Sequence, residues 1–303
     1  MTGDAAPTSV GFVGLGNMGR PMARRLVDAG YGLLGYDAVV DVRERAASEG
    51  VPVGRSLESV ANAHVVVLML PDSRIVQQVV SDVNFDQALR PGSVIVDMGS
   101  SEPMATRELA AQLGARGVRM VDAPVSGGVR GAEEGRLTIM AGGTEPDVDE
   151  LRPLLEVLGR VVHAGPIGAG DAVKALNNLL SATHLWVTSE AVLVGERFGI
   201  DPDVLLSILN SSSGRSGSTE NKWPNFIRPG SYDSGFALRL MLKDMRIATG
   251  LARSTGLPSR LGEAAESLWS GAADALPSTA DHTEVARYLR KAVGAGEEPD
   301  DRP

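Results

Sequence analysis

The chain has no cysteine among its 303 residues, which excludes disulfides, thiolate nucleophiles, iron–sulfur ligation and cysteine-held zinc within it. Such a chain fits a reducing, cytoplasmic setting. Its four histidines, His64, His163, His184 and His282, show no pairing at the spacing of one helical turn, so each reads as structural or surface and no metal is expected. Basic charge is short as well. Against 38 aspartates and glutamates stand 29 lysines and arginines, a net charge of -9, which argues against nucleic acid or an anionic membrane as the main partner. Apolar runs such as 65–70 are far too short to span a bilayer. The start, Met1 to Pro7, lacks the positive charge and apolar stretch of a secretory signal.

What is present is enough for a folded core: 43% hydrophobic residues over a length that suits one large or two ordinary domains. The first organised stretch, Ser9 to Gly19, is a short apolar strand running into Gly14-Leu15-Gly16-Asn17-Met18-Gly19, followed by the helix-like Pro21 to Val27. A dinucleotide-binding turn needs this order of strand, glycines and helix. Gly14 permits the tight turn, Gly16 the approach of backbone to a pyrophosphate, and Gly19 the packing of helix on strand. Asn17 and Met18 complete the loop, and the anion would sit on the helix N-terminus.

The next strand-like segment, Gly32 to Tyr36, ends at Asp37, at the distance where a carboxylate accepts hydrogen bonds from the ribose hydroxyls of NAD and repels the extra phosphate of NADP. The alternative reading of Asp37 is a helix or turn cap. Arg43 and Arg45 follow closely and are taken as a solvated helix face, so NAD is expected over NADP. Two continuous apolar runs, His64 to Leu70 and Ser93 to Asp97, look like strands buried on both faces. The loops after them, with Leu70, Pro71 and Ser100, are candidates for the nicotinamide side, or plain loops. Ser126, Gly127 and Gly128 offer a hydroxyl and exposed amides to a carboxylate, or form a simple flexible turn. The strand-like Leu137 to Met140 comes next.

From Asp171 to about Phe198 the pattern becomes one long helix, apolar on nearly every side and therefore expected to be buried and to join two domains. Near its start, Lys174, Asn177 and Asn178 stand at helical spacings, putting a cation and two carboxamides on roughly one face. Taken without the other motifs, Asp171 and Lys174 read as an ordinary helical ion pair. Beyond this helix no alternating strand appears. A polar stretch from Ser211 to Glu220 reads as a linker or a substrate-facing loop in which Arg215 could meet a second anionic end. Gly235 to Met245 starts another helix, carrying Lys243 and Asp244. The expected architecture is α/β: an N-terminal Rossmann doubly wound sheet over 1–167, then an all-helical domain over 168–296 that begins with the interdomain helix, and a frayed tail over 297–303.

With these motifs in order over nearly its whole length, the chain resembles the β-hydroxyacid dehydrogenase family. The shared stretches are 11–23, 122–128, 168–178 and 243–245. The resemblance implies hydride transfer between NAD and a small 3-hydroxy acid or the matching aldehyde acid. It implies Lys174 as the acid/base, Asn178 on the substrate oxygen, and Ser126, Gly127 and Gly128 on its carboxylate, with Lys243 close to both nicotinamide and substrate. The loop with Gly99 and Ser100 departs from the family's usual Ser-Thr pair, which weakens the case for Ser100. Family members are commonly homo-oligomers, dimers or tetramers, in which the helical domains pair. Lys174 can move a proton only if its pKa falls towards the working pH, which partial burial favours. The competing readings are a non-catalytic NAD-binding sensor or scaffold and an imine-reducing relative. Retention of Lys174 and Asn178 argues against both, and the larger 6-phosphogluconate enzymes need more helical chain.

Overall fold

The computed structural model describes residues 9–294. The first residues, 1–8, and the tail over 297–303, expected to be frayed, lie outside the described residues. Two compact units meet between Lys174 and Ala175.

The first unit is a mixed eight-stranded sheet. Its strands are β1 (Ser9–Val13), β2 (Gly32–Tyr36), β3 (Val65–Leu68), β4 (Val94–Asp97), β5 (Arg119–Asp122), β6 (Val125–Ser126), β7 (Leu137–Gly142) and β8 (Gly159–Gly165). They run in the order β2-β1-β3-β4-β5-β7-β6, with β8 also on β7. The first five are parallel, the Rossmann arrangement expected from strands alternating with helices. β7 is antiparallel to β5, and β8 then runs parallel to β7. The reversal at β7 and the edge strand β8 are additions to the expected sheet.

Eight helices connect these strands: α1 (Gly19–Asp28), α2 (Val40–Ser48), α3 (Leu57–Ala61), α4 (Ser73–Val80), α5 (Val83–Ala88), α6 (Pro103–Gly114), α7 (Gly128–Glu134) and α8 (Glu145–Glu156). Successive strand residues point to opposite faces, and the runs read as buried on both sides supply a core to each. Val65, Val67, Val94 and Val96 join Met22 and Leu26 of α1 and Leu151 and Leu155 of α8. Val66, Leu68 and Ile95 instead join Val76 of α4, Phe85 of α5 and Leu109 and Leu113 of α6. Asp97 and Asp122 end β4 and β5 as register partners at the carboxyl edge.

A single helix, α9 (Ala169–Phe198), starts in the first unit and continues into the second. The second unit adds α10 (Pro202–Asn210), a π-helix (Ser218–Ile227), α11 (Leu238–Ser254), α12 (Arg260–Ala275), a short 3₁₀ turn (His282–Glu284) and α13 (Val285–Gly294). Its core gathers Leu185 and Trp186 of α9, Trp223 of the π-helix, Met241 and Met245 of α11 and Trp269 of α12.

Two expectations change here. The stretch from Ser211 to Glu220 is not loop throughout: the π-helix begins at Ser218, and Ser218 and Thr219 are buried. Nor is α9 buried on every side in the single chain. Val173, Leu180, Val187 and Val194, seven residues apart, stay exposed along it.

Candidate functional site

The edge of the sheet that holds the glycine loop is built by main-chain pairing. Gly14 donates to the Tyr36 carbonyl at 2.9 Å, Met69 to Val13 at 2.8 Å, and Met98 to Leu68 at 2.8 Å, so the loops after β1, β3 and β4 open on one edge. Gly14 has φ +95, and a Cβ on Gly19 would overlap the Gly14 carbonyl, so neither position tolerates a side chain without movement. Gly16 differs. It is exposed, and nothing lies within 4 Å of where its Cβ would stand, leaving a cradle that a larger residue would fill. Met18, at the N-cap of α1, makes no side-chain hydrogen bond to the helix, and the first turn carries no acid. Such an open helix start suits an anion, and the loop fits a dinucleotide pyrophosphate.

Asp37 makes the capping contacts that are one of the two duties weighed for it. Its Oδ2 accepts from the Leu15 amide and its Oδ1 from the Val39 amide, each at 2.9 Å, so it ties the glycine loop to the entry of α2. Arg43 is more than a solvated helix face. Its guanidinium donates to the Asp37 carbonyl and lies 5.3 Å from the centre of the Tyr36 ring. A cation therefore stands beside Asp37.

Leu70 and Ser100 are half-buried on the loops after β3 and β4, and Pro71 is exposed. Gly99 approaches these loops so closely that a Cβ would meet the Leu70 carbonyl, which accounts for a glycine there. Ser126 ends β6 opposite Thr138. Gly127 and Gly128, at φ +133 and +64, turn the chain into α7 with their backbone exposed.

The start of α9 rests on a buried group of acids, of which the sequence had drawn attention only to Asp171, as a possible partner of Lys174. Asp122 accepts from the amides of Gly168 at 2.7 Å and Asp171 at 2.8 Å. It thereby serves from β5 as the cap of α9. Asp171 accepts from the Thr106 hydroxyl at 2.7 Å and the Ser101 amide at 3.4 Å. Asp97 accepts from the Ser101 hydroxyl at 2.6 Å. Lys174, one turn after Asp171, is only 9% exposed.

Burial raises the Asp122 carboxyl above the ordinary range, against the pull of its backbone donors. Burial raises Asp171 well above it, helped by the charges of Asp97 and Asp122 and opposed by Thr106 and Ser101. In the unfolded chain an aspartate ionises near pH ~3.9, whereas folded Asp171 keeps its proton higher. The folded state therefore binds more protons in this window. Its stability contribution is full below the unfolded pKa and is lost as pH rises through the folded one. Asp171→Asn, uncharged and of the same shape, should remove that loss. Its melting point should exceed that of the parent by a few degrees at pH 8 and match it near pH 4, read by thermal unfolding. A lower melting point at pH 8 would contradict this.

In the second unit Asn178, 5% exposed, donates from Nδ2 to Oδ2 of Asp244 at 2.5 Å, and the other oxygen of Asp244 meets Lys243 Nζ at 3.1 Å. Asn177 is exposed. Arg215 is exposed too, and pairs with Glu220 at 2.8 Å. Among the histidines, His282 is buried, and burial pushes its pKa down to about 4, with the Lys222 charge adding to the shift.

A parallel sheet with an open, glycine-looped helix start is the framework of a dinucleotide-binding protein. Comparison with known proteins narrows the class. Residues 9–167 match the family model for the NAD binding domain of 6-phosphogluconate dehydrogenase, and 168–289 that for the NAD-binding domain of NADP-dependent 3-hydroxyisobutyrate dehydrogenase. The chain is 39% identical over 296 residues to the mitochondrial 3-hydroxyisobutyrate dehydrogenase of Mus musculus, covering 95% of this chain and 88% of that one. It is 36% identical over 265 residues to 2-(hydroxymethyl)glutarate dehydrogenase of Eubacterium barkeri, covering 86% and 88%. Among solved structures, Mycobacterium tuberculosis 3-hydroxyisobutyrate dehydrogenase with L-serine superposes with a TM-score of 0.88 at 33% identity, covering 94% and 99%. The chain belongs to the β-hydroxyacid dehydrogenase family.

Proposed function

We propose that the protein is a dehydrogenase that oxidises a small 3-hydroxy acid, or reduces the matching aldehyde acid, with NAD preferred over NADP. The observation that carries this reading is a buried lysine and a buried carboxamide, Lys174 and Asn178, one turn apart on α9. The nicotinamide supplies the acceptor or donor of the hydride. Lys174 takes the hydroxyl proton during oxidation and returns it during reduction. Asn178 holds the reacting oxygen, and Ser126 with the amides of Gly127 and Gly128 holds the carboxylate. Gly14, Gly16, Asn17, Met18 and Gly19 hold the pyrophosphate, Asp37 the ribose, and Leu70, Pro71, Ser100 and Lys243 the nicotinamide end. Arg215 would have to exchange Glu220 for a second anionic group of the substrate.

The exposed apolar residues at seven-residue spacing on α9, with Phe198 at its end, suit pairing of that helix with a second copy, so a homo-oligomer belongs to the proposal. We assign the helical domain to 168–296. The cytoplasmic reading rests on composition, and the name of the mouse relative places that protein in mitochondria. Among the described residues no helix is long and apolar enough to cross a membrane.

A panel of 3-hydroxyisobutyrate, 2-(hydroxymethyl)glutarate and L-serine, each with NAD and with NADP, tests the reading through formation of reduced cofactor. Turnover with at least one acid and a higher kcat/KM for NAD are expected. Asp37→Asn should shift the NAD to NADP ratio towards NADP by about tenfold, equivalent to ~1.4 kcal/mol. An advantage for NADP in the parent would shift the cofactor choice to Arg43. Silence across the panel would favour a sensor or scaffold.

A further inference from the structure

A carboxamide can meet a substrate oxygen in two ways that differ by a half-turn of its end group: nitrogen first, donating, or oxygen first, accepting. In this chain a neighbour makes the choice for Asn178. Asp244 is 1% exposed, and its Oδ2 stands 2.5 Å from Asn178 Nδ2. An ionised carboxylate only accepts, so only the NH₂ end of the amide can face it. The Asn178 carbonyl must then point the other way, where Asn177 Nδ2 reaches it at 3.2 Å. Beyond these two bonds the amide keeps one N–H and one carbonyl lone pair, and their directions are set.

The second oxygen of Asp244 is engaged as well, by Lys243 Nζ at 3.1 Å. Consecutive residues on a helix do not face each other, yet the Lys243 ammonium reaches this oxygen. One carboxylate thus orders two of the residues singled out from the sequence, one on α9 and one on α11. We infer that Asp244 is a positioning residue: it fixes the directions in which the remaining N–H and carbonyl lone pair of the Asn178 carboxamide point and holds the Lys243 ammonium in place. The inference rests on the proposed role of Asn178 and adds the orientation of its carboxamide.

Asp244→Asn keeps the shape and removes one acceptor. The new amide can offer its oxygen to Asn178 only by turning its NH₂ towards the Lys243 ammonium, or satisfy Lys243 only by turning NH₂ towards NH₂. Either way one partner is lost. Asp244→Asn and the control Asn178→Ala are compared in the full chain for turnover, melting temperature and binding of reduced dinucleotide, followed by its fluorescence. For Asp244→Asn we expect binding to persist, kcat to fall ~10²-fold with a smaller change in KM, and the deuterium isotope effect at the reacting carbon to grow, as misplacement of a reacting group predicts.

The exchange Asn178→Asp with Asp244→Asn restores an amide–carboxylate bond with its ends swapped. It should recover any stability lost in the single variant and stay slow. If Asn178→Ala loses turnover while Asp244→Asn keeps its kcat within twofold, the positioning role is overturned and the reading of Asn178 stands. Recovery of turnover in the exchange would show that the bond matters and its direction does not, which also overturns the inference. Full activity in Asn178→Ala would remove the role of Asn178 itself, and that of Asp244 with it.

Discussion

Replacing Lys174 by alanine is expected to lower kcat about 10³-fold, within the range that a positioned general acid/base contributes. Lys174 is 9% exposed, and the helix that carries it is held from its first turn by Asp122. A lysine so restrained loses few orientations on meeting a substrate, which is the condition for efficient proton transfer. Cofactor affinity should hardly change, because the glycine loop and Asp37 are built by β1, β2 and α1 and do not depend on this side chain. The binding constant for reduced dinucleotide therefore separates loss of chemistry from loss of fold. Small primary amines added in solution should restore part of the turnover of Lys174→Ala by standing in for the missing base. Near-normal turnover in the variant, with binding intact, would remove Lys174 from the acid/base role and bring the sensor reading forward.

The features legible in the sequence were those written locally. Gly14 to Gly19 announces a turn because three glycines stand between an apolar strand and a helix, and the structure uses each for close approach or open space. The runs at Val65–Leu68 and Val94–Asp97 announce fully buried parallel strands because they do not alternate. β8 carried no such signal. As an edge strand with buried, half-buried and exposed residues mixed, it has little apolar pattern, and its partner β7 cannot be named from its own residues. The π-helix was hidden for another reason: small polar residues read as loop, and Trp223 and Ile227 anchor the segment through tertiary packing that outweighs composition.

The acids were the largest omission. Asp122 and Asp244 both lie inside motifs that were noticed for their neighbours, yet their hydrogen-bond donors include groups 46 to 66 residues away along the chain. Periodicity and spacing within one element carry no record of such a partner. A buried acid becomes visible only when the fold shows which backbone or side-chain donors it must satisfy.

Asp122 is where the second large effect is expected, this time on stability. Its two oxygens accept from the amides of Gly168 and Asp171, at the beginning of α9, where a helix has no carbonyls of its own to offer. Asp122→Ala would leave those amides in a buried site without their acceptor. Each hydrogen bond to a charged group is worth ~1.5–3 kcal/mol, and part of the loss is returned because the variant no longer buries a carboxylate. A net loss of ~2–4 kcal/mol is expected, a drop in melting point of roughly 5–15 °C for a domain of this size. Asp122→Asn should fall between, since its amide oxygen can take one of the two donors while its NH₂ opposes the other.

The two acids are coupled, so the series also has a pH signature. The Asp122 charge is one of the causes that hold the Asp171 proton. Without it Asp171 ionises more easily, and the loss of stability between pH 4 and 8 attributed to Asp171 should shrink in Asp122→Ala. A double-mutant cycle of Asp122→Ala and Asp171→Asn, melted at both pH values, reads this directly: coupling at pH 8 that vanishes near pH 4 is the expected result. Because Lys174 follows Asp171 by one turn, a loosened start of α9 should also cost kcat in Asp122→Asn more than it raises KM. Unchanged melting in Asp122→Ala would mean that the first turn of α9 finds other acceptors, and that packing alone holds Lys174 in place.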